Sequence, residues 1–369
     1  MSKHPRTVVC VVGARPNYMK AAPIVASLGR SRRLRPLLVH TGQHYDPDMN
    51  ERFFAELGMP APDANLEVGS GSHAVQTAQV MMRFEPVLDS APDPIVLVVG
   101  DVNSTIACAL VAAKKGVPVV HVEAGLRSGD RAMPEEINRV LTDQISDLLF
   151  TTEKSAGLNL AAEGIAAGRV HFVGNVMIDT LVANLPRAIP PAETLAAAGL
   201  DLSGGFALST LHRPANVDDP AVLKRLLDCL AEIGADLPVV LPLHPRTRAR
   251  IDAAGLSGRL DGTRILALGP QGYLAMLGLM KDARLVLTDS GGIQEETTAL
   301  GVPCLTLRDN TERPSTVEFG TNTLVGRDPG RILAAARDVL ATGGKAGRIP
   351  EFWDGHAADR IVAVLEDSF

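Results

Sequence analysis

The apolar run Val117–Val122 (VPVVHV) does not alternate with polar residues, and it stops abruptly at a carboxylate, Glu123. A strand buried on both faces reads this way, and such strands belong to parallel sheets covered by helices. The pattern recurs at Thr7–Val12, Leu37–His40, Pro94–Val99, Asp147–Thr152 and Val170–Gly174. It returns at Phe206–Leu211, Val239–Leu243, Arg264–Leu268, Leu285–Thr288 and Val302–Leu307. Helical patterns lie between the runs, from Tyr18, over Ala74–Phe84 and over Val102–Lys114, whereas Asp63–Ser72 reads as loop. Strand, turn and helix in alternation imply an α/β class with doubly wound sheets. Hydrophobic residues make up 46% of the chain but aromatics only 4%, so the cores must be aliphatic. A chain of 369 residues exceeds one compact core. Pro, Ala and Gly cluster over Ala188–Gly205, which places a linker near its start. The expected domains are residues 1–187 and 188–355, with a Trp-Asp-Gly break before a last helical stretch at 356–369.

Several function classes drop out. The net charge is -6 and no block of Lys or Arg forms a nucleic-acid footprint. Cys10, Cys108, Cys229 and Cys304 are scattered without C-x-x-C spacing, so neither a zinc site nor a disulfide framework is expected. No run is long enough to span a bilayer, and the first apolar run is too short for a signal peptide, so a soluble cytoplasmic protein is expected. The first strand ends in Gly-Ala-Arg-Pro and not in G-x-G-x-x-G, which disfavours a dinucleotide. The expectation is therefore a chemistry without cofactor or metal.

In open α/β sheets ligands gather at the carboxyl ends of strands. Asp101 follows Pro94–Val99 and Glu123 follows the next run, so two successive strands deliver carboxylates to one edge. Asp101 competes as a helix N-cap. Pro134 opens a helix with Glu135 and Glu136 in its first turn; Glu136 reads as a dipole partner, and Glu135 as a partner for Arg139 one turn on. Arg15 and Lys20 follow the first strand and could face an anion, although Lys20 also suits a solvated face. Gln43 and His44 sit at a strand-to-helix junction. In the second half, His212-Arg213 and His244 end strands, and Gln271 and Tyr273 could grip a base or sugar. Ser290-Gly291-Gly292 opens a helix where backbone N–H groups can approach phosphate. Glu296, one turn on, is the kind of group that holds a ribose hydroxyl, and Arg313 could face the same phosphates.

Together, GARPNYMKAAP, TGQHYD, GDVNST, HVEAGLRSGDRAMPEEINR, VGNVMIDT, TLHRP, LTDSGGIQEE and RDNTERP resemble the non-hydrolysing UDP-N-acetylglucosamine 2-epimerases, in order and over nearly the whole chain. The resemblance implies two Rossmann-like domains in a glycosyltransferase-B arrangement, with the active site in the interdomain cleft and the terminal helix packed back on the first domain. It implies a homodimer that interconverts UDP-GlcNAc and UDP-ManNAc by eliminating UDP to 2-acetamidoglucal and adding it back. Carried over by motif, the catalytic roles fall on Asp101, Glu123, Glu135 and His212. Ser290, Gly291, Gly292 and Arg313 become the diphosphate site with Arg15 nearby, Glu296 the ribose partner, and Gln271, Met276 and Tyr273 the uridine site. Two departures stand out: Ala215 follows the His-Arg-Pro triplet where many relatives place Glu, and no Lys or Arg occurs between Arg52 and Arg83. The second departure leaves Gln43, His44 and His244 as the groups available to a second, activating nucleotide sugar. The rival readings are a hydrolysing 2-epimerase, an epimerase of a modified UDP-hexosamine such as a uronic acid, a glycosyltransferase, and a non-catalytic nucleotide-sugar sensor.

Overall fold

The computed structural model describes residues 5–43, 53–196, 202 and 204–369. The chain divides into two compact units, Met1–Ala183 with Glu351–Phe369, and Asn184–Pro350. Each is built on a sheet whose strands pair in parallel throughout.

The first sheet comprises β1 (Arg6–Val12), β2 (Leu34–His40), β3 (Ala64–Asn65), β4 (Pro94–Val99), β5 (Val119–Val122), β6 (Leu148–Thr151) and β7 (Val170–Phe172), in the order β3-β2-β1-β4-β5-β6-β7. The strand order reverses between β1 and β4, which makes their carboxyl ends the natural ligand position. Strand β3 corrects the loop reading of Asp63–Ser72. The Asp63 carboxylate accepts the Leu38 N–H at 2.7 Å, and Leu66 N–H reaches the His40 carbonyl, so the two residues between them, Ala64 and Asn65, join the edge of the sheet.

The helix Asn103–Lys114 is rich in Ala and almost wholly buried, because helices His73–Ser90 and Pro134–Ile145 pack on either side of it. Small residues there let neighbouring helices approach closely. The terminal helix Ala357–Ser368 belongs to this unit and packs on Arg15–Leu28, where Ser27 and Arg30 both donate to Asp359. The buried Trp353 donates to the Thr152 carbonyl at 3.1 Å. Gly174 has φ +90, and a Cβ there would lie 2.0 Å from the Phe352 carbonyl oxygen, so the returning chain requires glycine at that point.

The second sheet comprises β8 (Ala207–Thr210), β9 (Val239–Pro242), β10 (Ile265–Leu268), β11 (Leu285–Thr288), β12 (Cys304–Thr306) and β13 (Asn322–Leu324), in the order β10-β9-β8-β11-β12-β13. Its reversal lies between β8 and β11. Strand β13 was not legible as an apolar run: Asn322 is buried by bonding Thr306, Thr316 and Gln294. The core draws on the helix Pro220–Asp236, whose Leu223, Leu226, Leu227, Leu230 and Ile233 recur at helical spacing. Asp219 caps that helix by accepting from Ala221 and Val222, with Pro220 in its first turn.

Among the described residues no helix is long and apolar enough to cross a membrane. The join of the terminal helix gives a direct test of this architecture. The buried Asp179 carboxylate accepts the Ala357 and Ala358 N–H groups at 3.1 and 2.7 Å. Asp179→Ala should lower hydrogen-exchange protection over Ala357–Ile361 about tenfold, the scale of a lost cap, and leave the second unit unchanged. Unchanged protection would show that the cap carries no stability.

Candidate functional site

In the first unit, the candidate carboxylates stand at the carboxyl ends of β4 and β5. Gly100 has φ +67, and the chain turns there into Asp101. Asp101 does not cap the following helix, which begins at Asn103 after Val102 with no side-chain cap. Instead its carboxylate accepts from Arg139 Nε and Nη2 at 3.0 and 2.7 Å. The donor to that helix end is matched by Gln43, whose side-chain oxygen accepts from Ser104 N and Oγ at 3.1 and 2.7 Å.

Glu123 is buried with φ +71, a left-handed conformation that a residue with a Cβ rarely adopts. The Phe150 carbonyl accepts both the Glu123 and Ala124 N–H groups, which holds this turn in place. Its carboxylate is ion-paired with Lys20, so the solvated-face reading of Lys20 gives way: only 6% of that residue is exposed.

Glu135 is half-buried in the first turn of Pro134–Ile145. Glu136 does more than complement a dipole. It is buried, accepts from the Ser128 and Gly129 N–H groups at 3.0 and 2.9 Å, and pairs with Arg139 at 2.6 Å. Burial alone would raise its carboxyl, but these donors hold it below the usual carboxylate range. Arg139, expected to pair with Glu135, thus joins Glu136 to Asp101 and ties the helix carrying Glu135 to the end of β4. Arg15 opens the helix Arg15–Leu28, its side chain lying outside the described residues, as does His44.

In the second unit, β8 and β11 end side by side. His212 Nδ1 lies 2.9 Å from Asp289, which is fully buried. Asp289 also accepts from the backbone N–H groups of His212 and Arg213 and from Asn216 Nδ2. Burial would raise this carboxyl, yet the His212 contact and the converging donors keep it lowered. An ionised Asp289 only accepts, so Nδ1 carries a proton and Nε2 faces away from the carboxylate. Sequence reasoning quoted Asp289 within its motif but gave it no role. Support for His212 therefore comes from Asp289, and Ala215 is exposed to one side. The His244 ring lies 6.1 Å from that of His212 and its Nδ1 accepts the Arg246 N–H.

Ser290 precedes the helix Gly291–Leu300, leaving its first N–H groups at the β8/β11 edge. A Cβ on Gly291 would lie 2.9 Å from the Glu312 carboxylate, so a larger residue there would displace that side chain. Glu312 receives Arg213 at 3.2 Å and Arg308 at 2.7 Å, and Arg313 pairs with Glu295 at 2.8 Å. Burial would raise Glu312, but Arg313, Arg308 and Arg213 hold it well below the carboxylate range. Glu296 is different: burial, with Glu295 adding to it, pushes its carboxyl up to about 8, against the opposing Tyr273 bond. The Tyr273 hydroxyl donates to Glu296 at 3.0 Å from a buried position, so it positions Glu296. Gln271 donates to the Gly269 carbonyl, and Met276 is half-buried on Tyr273–Asp282. Among the described residues no group of three His, Cys, Asp or Glu side chains is arranged to hold a metal ion.

The Glu296 shift has a consequence for stability. The folded state keeps a proton that the unfolded chain releases near pH 4.5, so this contribution is lost as pH rises through about 8. Glu296→Gln should flatten the fall in urea midpoint between those values. An identical slope in both proteins would show that Glu296 ionises normally.

Comparison with known proteins follows this geometry. The family model for UDP-N-acetylglucosamine 2-epimerase matches residues 26–366. A UDP-N-acetylglucosamine 2-epimerase of Methanococcus maripaludis is 40% identical over 359 residues, covering 96% of this chain and 97% of the relative. The UDP-2,3-diacetamido-2,3-dideoxy-D-glucuronate 2-epimerase of Pseudomonas aeruginosa is 42% identical over 362 residues, covering 97% and 99%. The crystal structure of the Methanocaldococcus jannaschii UDP-GlcNAc 2-epimerase, in complex with UDP-GlcNAc and UDP, superposes with a TM-score of 0.89 at 41% identity, covering 98% of this chain and 99% of that one. With a family model spanning most of its length and relatives matched end to end, the chain belongs to the UDP-N-acetylglucosamine 2-epimerase family.

Proposed function

We propose that the protein epimerises UDP-GlcNAc to UDP-ManNAc reversibly at C2 of the sugar. The observation that carries the proposal is the pair of carboxylates at the β4/β5 edge: Asp101, tied through Arg139 and Glu136 to the helix of Glu135, and Glu123, paired with Lys20. The C2 proton of a sugar nucleotide has no adjacent carbonyl to acidify it, so its removal must be coupled to loss of UDP from C1. A carboxylate takes the proton, the C1–O bond breaks, and UDP leaves with the electron pair, giving 2-acetamidoglucal. In the return step a carboxyl delivers a proton to the opposite face of C2 while a UDP oxygen bonds C1. Asp101, Glu123 and Glu135 share these acid and base roles. His212, its Nδ1 proton fixed on Asp289, stabilises the leaving diphosphate or relays a proton.

The second unit supplies the nucleotide's grip. Ser290 and the backbone of Gly291 and Gly292 take the diphosphate, with Arg213 and Arg313 adding charge-assisted donors. Glu296 takes the ribose, Gln271, Met276 and Tyr273 line the uridine, and Arg15 and Lys20 are the first unit's candidates for an anionic group. A second reading, a modified UDP-hexosamine as substrate, draws on the 42% identity to the diacetamido-glucuronate enzyme. Product analysis with each sugar nucleotide separates the two. A cytoplasmic homodimer fits the family. Val75 and Met82 are exposed on His73–Ser90, as are Ile137 and Leu141 on Pro134–Ile145, and both helices pack on Asn103–Lys114. Leu141→Glu should give a monomer in sedimentation; an unchanged assembly would place the contact elsewhere.

Asp101→Asn, Glu123→Gln and Glu135→Gln should each lower turnover of UDP-GlcNAc by about two to four orders of magnitude, the scale of lost acid–base help. Asp289→Asn should lower turnover through His212 and leave the carboxylate-dependent acid limb of the pH profile in place. Near-normal turnover in any one of the first three variants would remove that residue from the reaction.

A further inference from the structure

We infer that His121 is a buried imidazolium that sets the three candidate carboxylates in register, a positioning role resting on the epimerase reading above. His121 lies in β5 and is 0% exposed. Its Nε2 is 2.8 Å from the Gly100 carbonyl oxygen, and its Nδ1 is 2.7 Å from Asp143 Oδ1. A carbonyl oxygen only accepts, so Nε2 carries a proton. Asp143 is fully buried, and its second oxygen already accepts Gly125 N–H at 3.1 Å and Arg127 Nη2 at 2.7 Å. Those donors are the surroundings of an ionised carboxylate, so Oδ1 accepts as well and Nδ1 carries the second proton. Neither neutral tautomer satisfies both contacts with Asp143 ionised.

The doubly donating ring ties together the three elements that bear the reaction's carboxylates. Gly100 is the residue before Asp101, His121 lies two residues before Glu123, and Asp143 lies on Pro134–Ile145 with Glu135. One proton fewer would leave two acceptors facing each other in a dry interior and would let one element move. The charged groups around the ring are Asp143, with Arg127 and Glu163 behind it, and at the strand ends the Lys20–Glu123 and Arg139–Asp101 pairs. A Cβ on Gly100 would lie 3.1 Å from Lys20 Nζ, so the Lys20 side chain passes close beside the same turn.

The test combines a spectroscopic readout with kinetics on the full chain. In 15N spectra of histidine-labelled, ligand-free protein, the signal lost in His121→Gln identifies His121. Both of its ring nitrogens should carry protons at pH 7.5. A neutral tautomer at pH 7.5 would overturn the inference. His121→Gln, which offers one donor and one acceptor where two donors are needed, should lower kcat about a hundredfold with KM within about threefold. Unchanged kcat would overturn the positioning role. Should that variant fail to fold, the wild-type protein decides through its spectrum at pH 7.5, the signal being identified by assignment through Val122. The spectra need no substrate, so failure of the epimerase reading and failure of this one are distinguishable.

Discussion

Strands buried on both faces leave a charged side chain nowhere to go but the ends of the sheet, and the rest of this structure follows from that constraint. At the carboxyl edges the charges are still largely shielded from water, so each must be neutralised by a partner or by directed N–H groups. Glu123 has Lys20, Asp101 and Glu136 share Arg139, His212 has Asp289, and Glu295 has Arg313. Removing one member of such a pair leaves an uncompensated buried charge, typically about 3–5 kcal/mol worse. The pairs therefore do two things at once. They let ionisable groups exist in a dry place, and they hold those groups where a substrate can meet them.

Backbone strain marks the same location. Glu123 adopts a left-handed φ of +71, and a non-glycine residue in that region costs of order 1–3 kcal/mol. The two N–H bonds to the Phe150 carbonyl and the Lys20 pair over-determine the turn and keep it there. In the second unit the comparable device is the Asp289 carboxylate, which gathers the His212 and Arg213 backbone, the His212 ring and Asn216 onto one group. Both arrangements fix a side chain to which the proposed reaction gives a role, which is what positioning for catalysis requires.

Much of this was legible in the sequence because it rests on local patterns. The unalternating runs gave nearly every strand of both sheets, and the residues ending β4, β5, β8 and β11 pointed to the sites. What escaped were relations that depend on which strands are neighbours. Asp289 and His212 lie far apart in the chain, and only the β8–β11 pairing makes one the orienter of the other. The same holds for Arg139, which at helical spacing suggested Glu135 but reaches Glu136 and Asp101, and for Gln43, which serves the helix end assigned by spacing to Asp101. Tyr273, read from its place after a strand as a residue that could grip a base or sugar, also donates its hydroxyl to Glu296, a link between two helices that no local pattern shows. β3 and β13 were missed because edge strands of two and three residues, Ala-Asn and Asn-Thr-Leu, are too short and too polar to read as apolar runs.

Epimerisation by elimination and re-addition is the central claim, and it makes a demand on one hydrogen atom. Proton NMR of UDP-GlcNAc with the enzyme in deuterated water, without added cofactor, follows that atom directly. UDP-ManNAc should form with solvent deuterium at C2, and the remaining UDP-GlcNAc should gain it as the reaction reverses. UDP-ManNAc that keeps its original C2 hydrogen would contradict proton abstraction by these carboxylates.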